Sequence, residues 1–100
     1  MSELRGSART YLRGLAHGLR PVVQIGKEGF TEAVAVSVDD ALSTHELIKI
    51  RFVGCRAERR EITADVEKRT GCTCVGHIGY IAILYREHPD ADRRRIVLPR

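Results

Sequence analysis

No run of apolar residues in this chain approaches the roughly 20 that a bilayer-spanning helix needs. Residues 1–9 hold no apolar core of the kind a secretion signal requires. A soluble, cytoplasmic protein without membrane contact is therefore expected. Cysteine is scarce, at Cys55, Cys72 and Cys74. An odd count without a secretion signal points to free thiols in a reducing compartment. Cys72 and Cys74 are two apart, so on a strand they share a face, and they lack the Cys-x-x-Cys spacing of a zinc knuckle or a thioredoxin-type site. Tryptophan is absent, and two Phe and three Tyr offer little for stacking on nucleobases. Internal repeats, low-complexity tracts and linkers are also missing.

What remains is 100 residues, enough for one domain spanning 1–100, with a core at about 7–87 and a tail over 88–100. The apolar share of 43% is that of a globular protein. Lys and Arg number 17 against 13 Asp and Glu, and the net charge of +4 leans toward anionic partners such as nucleic acid.

The first element runs from Ser7 to about His17, where Leu12, Leu15, Ala16 and Leu19 recur at helical spacing before Gly18 and Pro21 stop it. Gly14 inside that helix suggests tight packing there. Val22-Val23-Gln24-Ile25 reads as a strand and Gly26-Lys27-Glu28-Gly29 as a turn. Thr31 is a good N-cap, with Glu32 in the first turn. The valines at 34, 36 and 38 alternate as in a strand, but the cap and the continuing face Val34, Val38, Ala41, Leu42 favour a second helix.

Residues 46–53 form the next strand. Ile48, Ile50 and Phe52 share a buried face, and Lys49 and Arg51 share a partly solvated, basic one. Residues 56–70 make a charged third helix with a thin stripe of Ile62 and Val66, ended by Gly71. Strands over 72–78 and 81–86 follow, joined by Gly79-Tyr80 as a hairpin turn. Ile96-Val97-Leu98 adds a short strand or docks on the core. The order α-β-α-β-α-β-β implies an α/β fold of three helices on a four-stranded mixed sheet, whose strand order stays open.

In order and spacing, several stretches resemble the CRM (chloroplast RNA splicing and ribosome maturation), or YhbY, family. They are Leu12-Arg13-Gly14-Leu15-Ala16-His17, then Pro21-Val22-Val23-Gln24-Ile25-Gly26-Lys27-Glu28-Gly29-Phe30-Thr31-Glu32, and then His45-Glu46-Leu47-Ile48-Lys49-Ile50. Thr70-Gly71-Cys72, Ile78-Gly79, Leu84-Tyr85-Arg86 and Leu98-Pro99-Arg100 complete them. The resemblance implies a KH-like fold, similar to the C-terminal domain of translation initiation factor three. It also implies an RNA-binding protein of the bacterial stand-alone type. Its partner would be ribosomal RNA in precursors of the large subunit, and its role that of an assembly factor, with Gly26-Lys27-Glu28-Gly29 as the RNA-contacting loop.

The residues support that loop independently. Glycines allow positive φ and let a phosphate approach main-chain N–H groups. The helix that opens near Thr31 adds its positive end, and Lys27 adds a full charge. Glu28 opposes binding if it faces the RNA and is harmless if it turns back to cap the helix. Arg13, Arg20, Lys49 and Arg51 could extend the footprint, with Arg93, Arg94 and Arg95 as a mobile electrostatic arm. Arg56, Arg59 and Arg60 oppose the dipole of the third helix and are expected to be offset by Glu58 and Glu61. Phe30 should pack at the start of the second helix and Tyr85 against the sheet. Without an aromatic platform, recognition should grip backbone and shape instead of reading bases.

A metal site is not expected: on a strand, His77 faces away from Cys72 and Cys74. His17 and His45 look structural. Asp39, Asp40, Glu87, Asp90 and Asp92 read as solvated charges, so neither an enzyme, a cofactor nor a small-molecule substrate is expected. A monomer is expected. The rival reading is a protein–protein module on ribosomal particles without RNA contact. Salt separates the two, because phosphate contacts release counterions.

Overall fold

Strand-like alternation in the middle of the chain builds a sheet, and helices cover both of its faces. The computed structural model describes residues 4–99; residues 1–3 and 100, part of the stretches read above as lacking a signal and as a family-like end, lie outside them. The elements are α1 (Gly6–Ala16), β1 (Val23–Ile25), α2 (Glu32–His45), β2 (Leu47–Phe52), α3 (Arg59–Thr70), β3 (Thr73–Ile78) and β4 (Ile81–Tyr85). Short 3-10 turns lie at Arg56–Glu58, just ahead of α3, and at Ala91–Arg93. This is the expected α/β fold of three helices and a four-stranded mixed sheet.

The sheet order is β1-β2-β4-β3. β1 pairs parallel to β2, with Val23 opposite Ile50 and Ile25 opposite Phe52. β4 runs antiparallel to both β2 and β3. The β2–α3–β3 crossover therefore skips one position, which β4 fills.

One face carries the larger core. Ile25, Ile48, Ile50, Phe52 and Leu84 meet Val38, Leu42 and Val66 from α2 and α3. Phe30 packs against the same cluster. The ambiguous valine stretch is helical for the reason given by its cap: Thr31 Oγ1 accepts from the Val34 N–H at 3.2 Å. Val38 is fully buried while Val36 is 49% exposed, a pattern that strand alternation would forbid.

The other face corrects an expectation. It is not open over Lys49, because α1 lies across β2, β3 and β4. Leu12 and Ala16 pack there on Leu47, Val75, Ile83 and Tyr85. Lys49 is only 8% exposed, and its Nζ donates to the Leu19 carbonyl at 3.1 Å. Arg51, nearer the end of β2, stays exposed. The buried stripe of α1 is Ala8, Leu12 and Ala16, spaced by four; Leu15 and Leu19 fall off it. Gly14 has no neighbour within 4 Å of where a Cβ would sit, so no tight packing explains it.

α1 is pinned sideways to the edge strand β3. Arg9 donates to the Cys74 carbonyl at 3.1 Å and Arg13 to the Val75 carbonyl at 2.8 Å. Both acceptors sit where the register shifts between Cys74 and Gly76. That bulge adds a residue and changes the phase of the alternation. His77 consequently does not face away from Cys74: its Nε2 is 3.6 Å from Cys74 Sγ.

The tail docks instead of forming a strand. Ile96 and Leu98 pack beside the α1 cluster, and Val97 points outward. Its anchor is Glu46, which is 1% exposed and has a φ of 61°. The Glu46 carboxylate accepts from the backbone N–H groups of His88 at 2.8 Å, Arg95 at 2.7 Å and Ile96 at 3.1 Å. Positive φ at a non-glycine residue costs on the order of 1–3 kcal/mol, and such conformations persist only where the surroundings over-determine them; the three charge-assisted bonds do so here.

Candidate nucleic-acid interface

Strand direction decides which loops meet. β1 and β2 run the same way and β4 runs back, so the ends of β1 and β2 converge with the β3–β4 turn. Three segments gather there: the loop of residues 26–29, residues 53–56, and Gly79-Tyr80. The Phe52 N–H donates to the Tyr80 carbonyl at 2.7 Å, and the Val53 and Gly54 N–H groups both donate to the Ile25 carbonyl at 2.9 and 3.0 Å. Gly54 lies so close that a Cβ on it would be 2.5 Å from the Lys27 nitrogen. Cys55 Sγ lies 3.4 Å from the Lys27 carbonyl oxygen.

Within the glycine loop, the Gly29 N–H closes onto the Gly26 carbonyl at 3.0 Å, and Gly29 has a φ of 75°. Lys27 and Glu28 form the exposed tip. The cap of α2 comes from Thr31, so Glu28 does not serve that purpose. The acid in the first turn of α2, Glu32, is engaged by Arg69 at 2.6 Å, and this bond holds its carboxyl below the usual range.

Five cations stand at this end: Lys27, Arg51, Arg56, Arg59 and Arg60. Among the described residues, none of them is within 4 Å of a carboxylate, whereas Arg69, Arg86, Arg93 and Arg94 all are. The expected offset of Arg56 and Arg59 by Glu58 and Glu61 is thus not what forms. Their guanidinium groups lie 4.5 and 5.2 Å from the centre of the Tyr80 ring, in cation–π range. His77, nearby on β3, is held below the usual histidine pKa, first by burial and then by Arg60 and Arg59.

Nothing local in the sequence marks Tyr80 as part of this cluster: Gly79-Tyr80 reads there only as a hairpin turn. Gly79 has a φ of 57° and Tyr80 does not have positive φ, the pattern of a type II′ hairpin turn. The Arg-x-x-Arg spacing at residues 56 and 59, one helical turn apart, was the available signal.

Gly26, Lys27, Glu28, Gly29 and Arg51 thus come together. The other sequence-named residues do not join them. Lys49 is buried. Arg13 is engaged by the Val75 carbonyl and by Thr10 Oγ1 at 3.2 Å. Arg20 lies before β1, in the wall of an apolar groove with Leu15, Leu19, Val22 and His45. Arg93, Arg94 and Arg95 lie at the opposite end, beside Ser43 and Thr44 of α2. They are no mobile arm: Arg93 is 3.7 Å from Asp90, Arg94 is 3.5 Å from Glu87, and the Arg95 backbone is held by Glu46.

Among the described residues, no group of three or more His, Cys, Asp or Glu side chains is placed to hold a metal, and no helix is long and apolar enough to cross a membrane.

This loop-to-helix geometry sits inside a recognisable domain. Residues 4–86 match the CRS1 / YhbY (CRM) domain. The chain belongs to that family. A Haemophilus influenzae protein named RNA-binding protein is 38% identical over 100% of this chain and 99% of its own length. Bacillus subtilis YqeI, named a probable RNA-binding protein, is 30% identical over 96% of this chain and 99% of its own. A Staphylococcus aureus protein solved in solution, described as an RNA-binding candidate, superposes with a TM-score of 0.80 at 33% identity, covering 97% of this chain and all of that one. In this CRM domain the glycine loop and the bare cations occupy the same end of the sheet.

Proposed function

We propose that this CRM domain binds RNA through the loop end of its sheet, as a monomer in the cytoplasm, and that the RNA is ribosomal RNA in precursors of the large subunit. The role would be that of an assembly factor, with no catalytic step and no cofactor. The observation that carries the reading is the exposed Gly26-Lys27-Glu28-Gly29 tip beside cations that have no carboxylate partner among the described residues. A phosphate fits such a tip for three physical reasons. Glycine keeps side chains out of its way. The start of α2 offers unpaired N–H groups and a positive dipole end. The cations lose no existing ion pair when the phosphate arrives. The names of the relatives support the RNA part, and the family resemblance supports the ribosomal part.

If all five cations neutralise phosphates on a single strand, affinity should fall about 100-fold between roughly 50 and 200 mM salt. The test is sedimentation of the tagged protein from a bacterial lysate through sucrose gradients at low and high salt, wild type beside Lys27→Glu. Co-migration with large-subunit precursors at low salt, lost both at high salt and in the variant, is the expected result. A wild type that stays at the top of every gradient overturns the ribosomal assignment.

The rival, a protein-binding module that touches no RNA, has one observation in its favour: Leu15, Leu19 and Val22 are 42%, 41% and 52% exposed around one groove. An apolar contact there would survive the salt that strips phosphate contacts.

A further inference from the structure

Beside the glycine loop, Arg51, Val53, Arg56, Ile78, Tyr80 and Ile81 line a shallow depression of about 320 Å³. Its floor is apolar and wet: Val53, Ile78 and Tyr80 are 47%, 57% and 45% exposed. Two of its lining residues, Arg51 and Arg56, are cationic, and Arg59 stands beside it against Tyr80. Arg56 directs only its Nε to the Phe52 carbonyl, at 3.4 Å, and Arg59 directs one amino group to the Arg56 carbonyl, at 2.6 Å. Both guanidinium groups rest by the Tyr80 ring, so their remaining amino donors are oriented in advance, while the Arg59 Nε is buried. The main-chain contacts from Gly54 and Phe52 fix this depression against the loop that holds Lys27.

A ligand for such a surface needs a flat apolar body and anionic groups on either side of it. An acidic side chain would satisfy the rim and leave the floor wet. A fatty chain would cover the floor and leave the cations bare. An unpaired nucleotide does both, since its base has apolar faces and its flanking phosphates carry the charge. We propose that this depression is a nucleotide subsite. One unpaired base lies over Tyr80 and the Arg56 guanidinium, and the adjoining phosphates meet Arg51 and Arg59. The inference rests on the RNA reading above and deepens it. The domain selects RNA with an unpaired nucleotide next to the clamped backbone, in preference to a continuous duplex, whose bases are already stacked. Contact is with the base face and not its edge, so it brings no sequence preference.

The experiment is fluorescence anisotropy with the full chain at low salt. The probes are one labelled mixed-sequence single-stranded RNA and the same strand in a blunt duplex. The proteins are wild type, Tyr80→Ala, Tyr80→Phe, Arg56→Gln and Lys27→Ala, each checked by thermal melting. Wild type should prefer the single strand. Tyr80→Ala should lose about 5- to 100-fold on the single strand and less than about twofold on the duplex. Arg56→Gln should show a larger loss on the single strand than on the duplex. Tyr80→Phe should behave as wild type, and Lys27→Ala should weaken both probes. If Tyr80→Ala and Arg56→Gln leave the single strand unaffected, or weaken both probes equally, the subsite is refuted while RNA binding stands. If wild type binds neither probe, both readings fall together.

Discussion

Gly54→Ala is the sharpest perturbation of the glycine loop that leaves every charge in place. A Cβ on Gly54 would sit 2.5 Å from the Lys27 nitrogen, 2.6 Å from the Gly26 carbonyl carbon and 2.8 Å from the Lys27 Cα. These are backbone atoms, so no rotamer change relieves the clash. Ordinary contact begins near 3.4 Å, so the loop and the end of β2 must separate by roughly 0.9 Å. Gly54 does not have positive φ, so the cost worked here is that of the clash. Overpacking of this kind costs about 1–3 kcal/mol. For a chain of this size each kcal/mol lowers Tm by about 4–8 °C.

Two readouts should move together. Thermal melting should fall by several degrees or more, and RNA affinity should drop because Lys27 no longer stands where the Gly54 contact places it. The affinity loss should exceed that of a variant equally destabilised in the core, for instance Val66→Ala, which leaves the loop alone. A Gly54→Ala protein with wild-type Tm and wild-type affinity would refute the reasoning, since the close approach would then carry neither structural nor functional weight. A lower Tm with unchanged RNA binding would keep the clash and remove the loop from the interface.

Lys49→Met should leave RNA affinity within about twofold of wild type, because the buried ammonium is engaged by Leu19 and does not reach the surface; a loss as large as that of Lys27→Ala, by anisotropy, would return Lys49 to the interface. Glu46→Ala strands three backbone N–H groups and should cost at least about 1–3 kcal/mol. Limited trypsin digestion should then cut faster at Arg93, Arg94 and Arg95, and an unchanged cleavage rate would mean that the tail is held by Ile96 and Leu98 alone. Burial pushes the Cys72 thiol up to about 11. A thiol reagent at about pH 8 should therefore reach Cys72 only as fast as the protein unfolds; labelling of native Cys72 within the dead time would mean that the core opens locally.

What the sequence made legible was local. The alternation of Ile48, Ile50 and Phe52, the Thr31 cap and the glycine ends of α3 and the β3–β4 turn are each written within a few residues, and each formed as read. What stayed hidden was relational. An apolar stripe on α1 announces that something is covered but not what, and the surface it covers includes Lys49. The slot of β4 between β2 and β3 depends on pairing across 30 to 38 residues, which no periodicity encodes. The bulge at Cys74 and Gly76 shifts the phase by one residue, and this alone turned His77 toward Cys74. For the candidate site, the loop and Lys27 could be named because a glycine pair between strand and helix has a local meaning, and the structure leaves them exposed. Arg56 and Arg59 were misread because dipole arguments consider only their own helix, and Tyr80 enters from a different hairpin.

The distribution of charge is the deeper reason to place function at the loop end. A net charge of +4 is small, and it hides an asymmetry. At the tail end three of four arginines have carboxylate partners, Arg86 with Asp39 at 2.6 Å, Arg94 with Glu87 and Arg93 with Asp90, while Arg95 is held only by its backbone. At the loop end stand five cations with no carboxylate within 4 Å of any of them among the described residues. Like charges gathered this way repel, and the folded chain offsets that cost only through the Tyr80 ring and main-chain carbonyls. Stability alone would have favoured pairing them, as Glu58 and Glu61 stand in the adjacent turn and could do so. That Arg56 and Arg59 lie on Tyr80 instead leaves the Arg56 amino groups and one Arg59 amino group without a carboxylate, although the Arg59 Nε is buried. On the proposed reading, bringing a phosphate to that end would convert repulsion into attraction, so a weakly charged domain would bind at one place.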